Sequence, residues 1–334
     1  MTIKLENMQA RRLDLKRAFE NEPTPLDFIW PGFLAGTVGA LFAPGATSKS
    51  FLALQVGIAI ASGRDMLGIG IERTGRVVYI GLEDRDDVLK HRAYAIGQRL
   101  SPEAREAAAE RFDILSLYGD GVDMMAAEDS KAIVAYCSGA RLIIVDTFSR
   151  AHRLDENSNS DMSGALSRLE WITRETGASL LFLHHISKGA GRNGEGGDQH
   201  AARGASALTD NARYAAALAK MSPGLAEQLV DREIAIAAIG EAGRGRYVQL
   251  TIPKNNYSAP IPGRWYRRGE GGVLEPTDLL DGDGLKAAVK KYEKAAAPHS
   301  PKRGLANIVG DGADEFDKKL LKDAAPEQDL SWLK

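Results

Sequence analysis

A lysine followed by a serine, Lys49-Ser50, closes the segment Ala43-Pro44-Gly45-Ala46-Thr47-Ser48-Lys49-Ser50. Small and polar residues leading into a lysine are what a phosphate-binding loop requires. Successive backbone N–H groups and the N-terminus of a following helix can surround an anion. The lysine then reaches the outer phosphates, and the hydroxyl ligates Mg²⁺. The segment departs from the strict pattern at both terminal glycines, which here are Ala43 and Ser48. Alanine at the first still permits a tight turn. A β-carbon at Ser48, directly before the lysine, is expected to crowd the phosphate or the backbone. The same residues also fit a plain polar turn in which Thr47 or Ser48 caps a helix and Lys49 is solvated.

Three further positions hold groups such a loop would use. LIIVD (142–146) is an apolar run ending in Asp146, and VVYIGLE ends in Glu83. An aspartate at a strand end beside a phosphate loop holds Mg²⁺. A glutamate there can orient and deprotonate an attacking water. Taken singly, Asp146 also fits a loop cap and Glu83 a solvated acid at a helix start. LLFLHH ends in His184-His185, and strand alternation sends the two rings to opposite faces. His185 is the choice for a ring that donates to a terminal phosphate, with His184 left to packing. Several strands ending in suitable groups are much harder to obtain by chance than one.

The elements that must position these groups alternate along the chain. GTVGALFA (36–43), GRVVYIGLED (75–84), FDILSLY (112–118), RLIIVDTF (141–148) and ASLLFLHHI (178–186) read as buried strands. Between them, helices are expected from Lys49 to a stop at Gly63, over 84–100 with Leu89, Ala93, Ile96 and Leu100 on one face, and over 127–137. Another spans 160–176, with Met162, Leu166, Leu169 and Ile172 facing inward. Ser101-Pro102 reads as a helix cap with proline in the first turn. This order predicts an α/β fold with a mostly parallel sheet and helices on both faces. Residues 207–221 read as a helix. IAIAAIG (234–240), RYVQLTIP and the RWYRRGEGGVLEP hairpin read as antiparallel strands closing the sheet edge.

The expected organisation is a charged lead-in (1–22), one core domain (23–276) and a Lys-, Ala-, Asp- and Gly-rich tail (277–334) that is partly disordered. The segment 189–206 is too rich in glycine and charge to form a core. Lys188, Arg192 and Arg203, in or beside it, fit either a loop touching DNA phosphates or a solvated loop. The 334 residues are 44% hydrophobic and 26% charged, which fits an ordinary globular protein. One cysteine, Cys137, excludes an internal disulfide and a cysteine-rich zinc cluster. The charged N-terminus and the absence of long apolar runs predict a cytoplasmic protein without a membrane span. A formal net charge of −2 does not argue against a strand-encircling protein, which needs positive charge only along its channel.

From Pro25 to Pro276 the chain resembles the RepA-type plasmid replicative helicases, a hexameric RecA-like P-loop ATPase family. The likeness runs through PLDFIWPGFLAGTVGAL, YIGLED, LIIVDT, LFLHHISKGA, ARGASALTDNARY and RWYRRGEGGVLEP. It implies a RecA-like core, ATP and Mg²⁺ as cofactors, and translocation on single-stranded DNA by a homo-hexameric ring. A replication initiator and a primase of the plasmid or mobile element are implied as partners. Carried over, the ATP-contacting set is Pro44, Gly45, Ala46, Thr47, Ser48, Lys49, Ser50 and Phe51, with Ser50 and Asp146 at the metal. Glu83 matches the catalytic glutamate and His185 the γ-phosphate sensor. Arg213 matches an arginine finger reaching a neighbour's ATP, and Arg92 falls where another basic contact is expected. Two other readings stay open: a RecA-like ATPase acting on nucleic acid without unwinding it, and a nucleotide-binding assembly factor silenced by Ser48.

Overall fold

The computed structural model describes residues 5–186, 208, 212–231, 233–234 and 237–282. Two short helices, α1 (Leu5–Ala10) and α2 (Leu15–Glu20), lead into a hairpin of β1 (Phe28–Trp30) and β2 (Phe33–Leu34). The α/β body then follows as β3 (Val38–Ala43), α3 (Lys49–Ser62), β4 (Val77–Gly81), α4 (Asp86–Gly97), α5 (Pro102–Arg111) and β5 (Phe112–Ser116). It continues through α6 (Ala127–Cys137), β6 (Leu142–Asp146), α7 (Asn159–Thr176), β7 (Ser179–His185) and β8 (Tyr214–Lys220). After α8 (Pro223–Gln228), β9 (Leu229–Asp231) and α9 (Gly240–Arg244) come β10 (Tyr247–Asn255), β11 (Arg264–Arg268), β12 (Leu274–Thr277) and β13 (Leu279–Asp281).

Among the described residues the main sheet has nine strands in the order β12-β11-β10-β8-β3-β7-β6-β4-β5. From β8 to β5 all neighbours are parallel, whereas β10, β11 and β12 form an antiparallel wing. The central parallel strands are buried on both faces, which explains their unbroken apolar runs. Alternation divides them between two cores. Leu41, Ala43, Tyr79, Leu181 and Leu183 pack under α3, α4 and α5. Ala40, Phe42, Val78, Ile80 and Phe182 pack under α6 and α7.

Local chemistry sets the helix ends. Ser101 Oγ accepts the Ala104 N–H before Pro102 at the start of α5. Gly63, at φ +79°, ends α3 in the left-handed conformation that glycine tolerates. All four inward positions expected of α7 are buried: Met162, Leu166, Leu169 and Ile172.

Two expectations need correction. Residues 214–220, YAAALAK, are strand β8 and not part of a helix. Alanine's helix propensity is a weak preference, overridden here by a place in the sheet between β3 and β10. Tyr214 anchors the strand, its hydroxyl accepting from Trp30 Nε1 at 2.7 Å and its ring stacked on Phe33 at 5.0 Å. IAIAAIG is likewise not a sheet strand: among its described residues Ala238 makes one isolated bridge to Val230, and Gly240 opens α9. The strand of this region is β9, which pairs with β13. Ordered structure therefore runs past Pro276, through Thr277 of β12 to β13. Most of 277–334 and the basic residues Lys188, Arg192 and Arg203 lie outside the described residues.

Candidate functional site

The parallel register lines up one edge of the sheet. Ala43 pairs with His185 and Gly81 with Asp146, so the C-terminal ends of β3, β7, β6 and β4 form a crest, where α/β proteins place their ligands. The phosphate loop follows Ala43, and Glu83 follows β4. Asp146 and His185 are the last residues of their strands. Thr147 Oγ1 donates to Leu183 O at 2.8 Å, tying the chain beyond Asp146 onto β7.

Lys49, the first residue of α3, is only 6% exposed. Its Nζ lies 3.1 Å from His185 Nδ1 and 3.5 Å from Ala43 O, and His185 Nε2 lies 3.4 Å from Glu83 Oε2. Because the ammonium can only donate, His185 Nδ1 is the acceptor and the Nε2 proton faces Glu83. Burial pushes the Lys49 ammonium below its usual pKa, with Asp146 and Glu83 pulling it back up. Asp146 is 2% exposed. Burial raises its carboxyl above the ordinary range against hydrogen bonds from Ser50 and Tyr79.

The loop itself is unusual. Ala46 at φ +57° and Ser48 at φ +68° are, among the described residues, the non-glycine residues with positive φ. A β-carbon in that region costs roughly 1–2 kcal/mol, so the strain expected at Ser48 sits in the backbone and extends to Ala46. Neither capping alternative occurs: Ser48 makes no side-chain cap to α3, and Thr47 Oγ1 donates to Pro44 O at 2.6 Å. Among the described residues, the helix N-terminus is thus left without a side-chain acceptor from its cap, as an anion site requires. Lys49, the Ser50–Asp146 pair and this helix end are a donor set that fits ATP with Mg²⁺.

Other expected residues fall differently. Arg92 is paired with the Asp84 carboxylate and lies 5.5 Å over the Phe51 ring, so its charge is already engaged. Arg213 is exposed and directly precedes β8. Tyr214 pairs with Gly39 near the start of β3, so Arg213 sits at the far end of the sheet, about 13 Å or more along β3 from its own phosphate loop. His184 turns to the other face, edge-on to Phe42 at 6.0 Å, and its Nδ1 has no hydrogen-bond partner among the described residues. Burial there pushes its pKa down to about 4.

Two residues at the crest escape a sequence reading. Tyr79, in the middle of β4, donates its hydroxyl to Asp146 and is itself buried, which raises its pKa well above the usual value. Arg268, at the end of β11, reaches the phosphate loop: Nε donates to Ser48 Oγ at 2.8 Å and Nη2 to Ala46 O at 2.9 Å. Strand alternation offers a signal for Tyr79, since it places 79 on the same face as Gly81 beside Asp146. Nothing comparable exists for Arg268, one of several arginines in RWYRR.

No helix among the described residues is long and apolar enough to cross a membrane. A matching solved structure of an ATPase domain has this fold, with a TM-score of 0.52 at 12% sequence identity over 82% of this chain and 99% of that one. Two further solved structures resemble it more loosely. They are the RadB recombinase (TM-score 0.42, 15% identity, 71% of this chain and 90% of that one) and the KaiC-like protein PH0186 from Pyrococcus horikoshii OT3 (0.46, 15%, 75% and 100%). The model of the AAA domain family matches residues 6–191. With that match over more than half of its length, and with a nine-stranded RecA-like sheet around a phosphate loop, the chain belongs to the AAA domain family of P-loop ATPases.

Proposed function

We propose that this chain hydrolyses ATP with Mg²⁺ and uses the cycle to move along single-stranded DNA as a ring of identical subunits, unwinding duplex as a replicative helicase of a plasmid or mobile element. The observation that carries the reading is the contact chain Lys49–His185–Glu83 beside the buried Asp146, which accepts from the half-buried Ser50. It supplies a cation, a relay, a base and a metal seat on one crest. The ring, the DNA and the replicative role rest on the family resemblance, as do an initiator and a primase as partners.

In this reading Ser50 and Asp146 would hold Mg²⁺, whose positive charge would offset the negative charge that develops on the phosphates. Lys49 faces the outer phosphates, its ammonium kept from solvent by burial. Glu83 accepts a proton from the attacking water, its carboxylate being half-exposed at the open side of the crest. His185 bridges Lys49 and Glu83 through opposite ring nitrogens, so a change at the phosphates is felt at the base. Arg213, too far from its own loop, serves the site of a neighbouring subunit.

Phosphate release measured with and without single-stranded DNA, together with separation of a forked duplex, tests the reading. Mg²⁺-dependent release accelerated by DNA, with strand separation, is expected. No release with or without DNA would point to the silenced assembly factor, and stimulated release without strand separation to an ATPase that acts on nucleic acid without unwinding it.

A further inference from the structure

The phosphate loop is braced from outside by one side chain. The Arg268 guanidinium spans Ser48 Oγ, Ala46 O and, through Nη1 at 3.0 Å, Gly245 O. Its two loop acceptors belong to the two residues held at left-handed φ without being glycine, Ala46 and Ser48. The contacts use a carbonyl and a hydroxyl, so they consume none of the loop's N–H groups.

Arg268 is itself held. Gln55 of α3, fully buried, donates to Leu274 O at 2.9 Å and accepts the Leu274 N–H at 2.8 Å, bolting the β11–β12 hairpin to the helix that follows the loop. The hairpin's turn presses on the same helix: a β-carbon at Gly272 would lie 2.9 Å from the Phe51 ring. Burial lowers the pKa of Arg268, and among the described residues it makes no ion pair with a carboxylate. A half-buried cation compensated by backbone and loop oxygens alone is spent on the loop's shape.

We propose that Arg268 is a positioning residue that holds Ala46 and Ser48 in their left-handed conformation, and that Ser48 and Arg268 act as a pair replacing the glycine usual at position 48. The loop's N–H groups are thereby kept facing the phosphates. This rests on the reading of the loop as an ATP site. Glycine at 48 adopts the conformation without strain and leaves the guanidinium one loop acceptor fewer, so the need for Arg268 falls with Ser48→Gly.

A double-mutant cycle on the full chain tests the pair, with a fluorescent ATP analogue and Mg²⁺ as the probe. Arg268→Gln should weaken binding about tenfold or more, the loss of charge-assisted hydrogen bonds. In a Ser48→Gly background the same change should cost about threefold or less. KM should rise with kcat nearly unchanged. An equal loss in both backgrounds, or a fall in kcat at constant KM, would overturn the pairing. Amide exchange of residues 46–50 without nucleotide adds a readout independent of ATP: it should quicken in Arg268→Gln while β11 and β12 stay protected, and unchanged exchange would overturn the brace. If the parent itself fails to bind the analogue, the proposed ATPase function falls, and the exchange result still decides the brace.

Discussion

In the parallel part of the sheet, Glu83, Asp146 and His185 are delivered to the crest by strand ends, each within a few residues of an apolar run. In the antiparallel wing, Arg268 arrives from the side, 220 residues from the Ser48 it touches. The first arrangement is modular: a strand end can change its group without disturbing the sheet. The second is mechanical, since the wing touches the loop's backbone and hydroxyl and is bolted to α3 by Gln55. Substitutions of the crest-facing groups in the parallel part should therefore change turnover with little effect on folding, and substitutions in the wing should change stability or binding first.

The largest effect is expected at Arg213. A finger supplied by a partner is worth roughly 10³–10⁵ in rate, so Arg213→Ala should bind nucleotide and assemble yet hydrolyse poorly. Mixing it with Glu83→Gln should restore part of the activity, because some interfaces then pair an intact Glu83 with an intact Arg213. No recovery, with mixed rings confirmed by mass, would remove Arg213 from the site and weaken the ring reading.

The two histidines that end β7 sharpen the contrast within the parallel part. His185 faces the crest, whereas His184 is buried with a pKa pushed down to about 4. Its folded-state value lies below the unfolded one, so its contribution to stability is present above about pH 6.5 and is lost as pH falls towards 4. Over that window the loss is about 3 kcal/mol. In His184→Gln, the drop in thermal midpoint between pH 7 and pH 5 should shrink. An unchanged drop would mean that His184 does not set the acid sensitivity.

In the wing, Gln55→Leu would leave the buried N–H and C=O of Leu274 without partners, costing about 2 kcal/mol in urea denaturation. Turnover at saturating ATP should fall far less than in Arg213→Ala. A wing variant that lost turnover but not stability would erase the distinction between the two regions.

How far this molecule can be read from its residues follows the same division. Strands such as LIIVD and LLFLHH are legible because burial on both faces demands continuous apolar runs. Their final polar residues are legible as crest groups because parallel strands end on one side. Helix α3 is legible from Lys49 to Gly63 for its apolar content and its glycine stop. Strand β8 is not, because an alanine-rich segment prefers a helix until neighbouring strands claim it. IAIAAIG misleads in the opposite way: its alternation fits a strand, yet among the described residues no sheet position receives it. Tyr79 is hidden by being one apolar-run residue among several. Arg268 depends on a hairpin folding back across the whole chain, and local pattern carries no trace of that.

Glu83→Gln tests the crest most directly. ATP binding and steady-state phosphate release should be measured together on the parent and the variant. Binding should be retained while release falls about 10²–10⁴-fold, as expected when a positioned general base is lost. A variant that releases phosphate at the parent's rate would contradict Glu83 as the base and, with it, the assignment of chemistry to this crest.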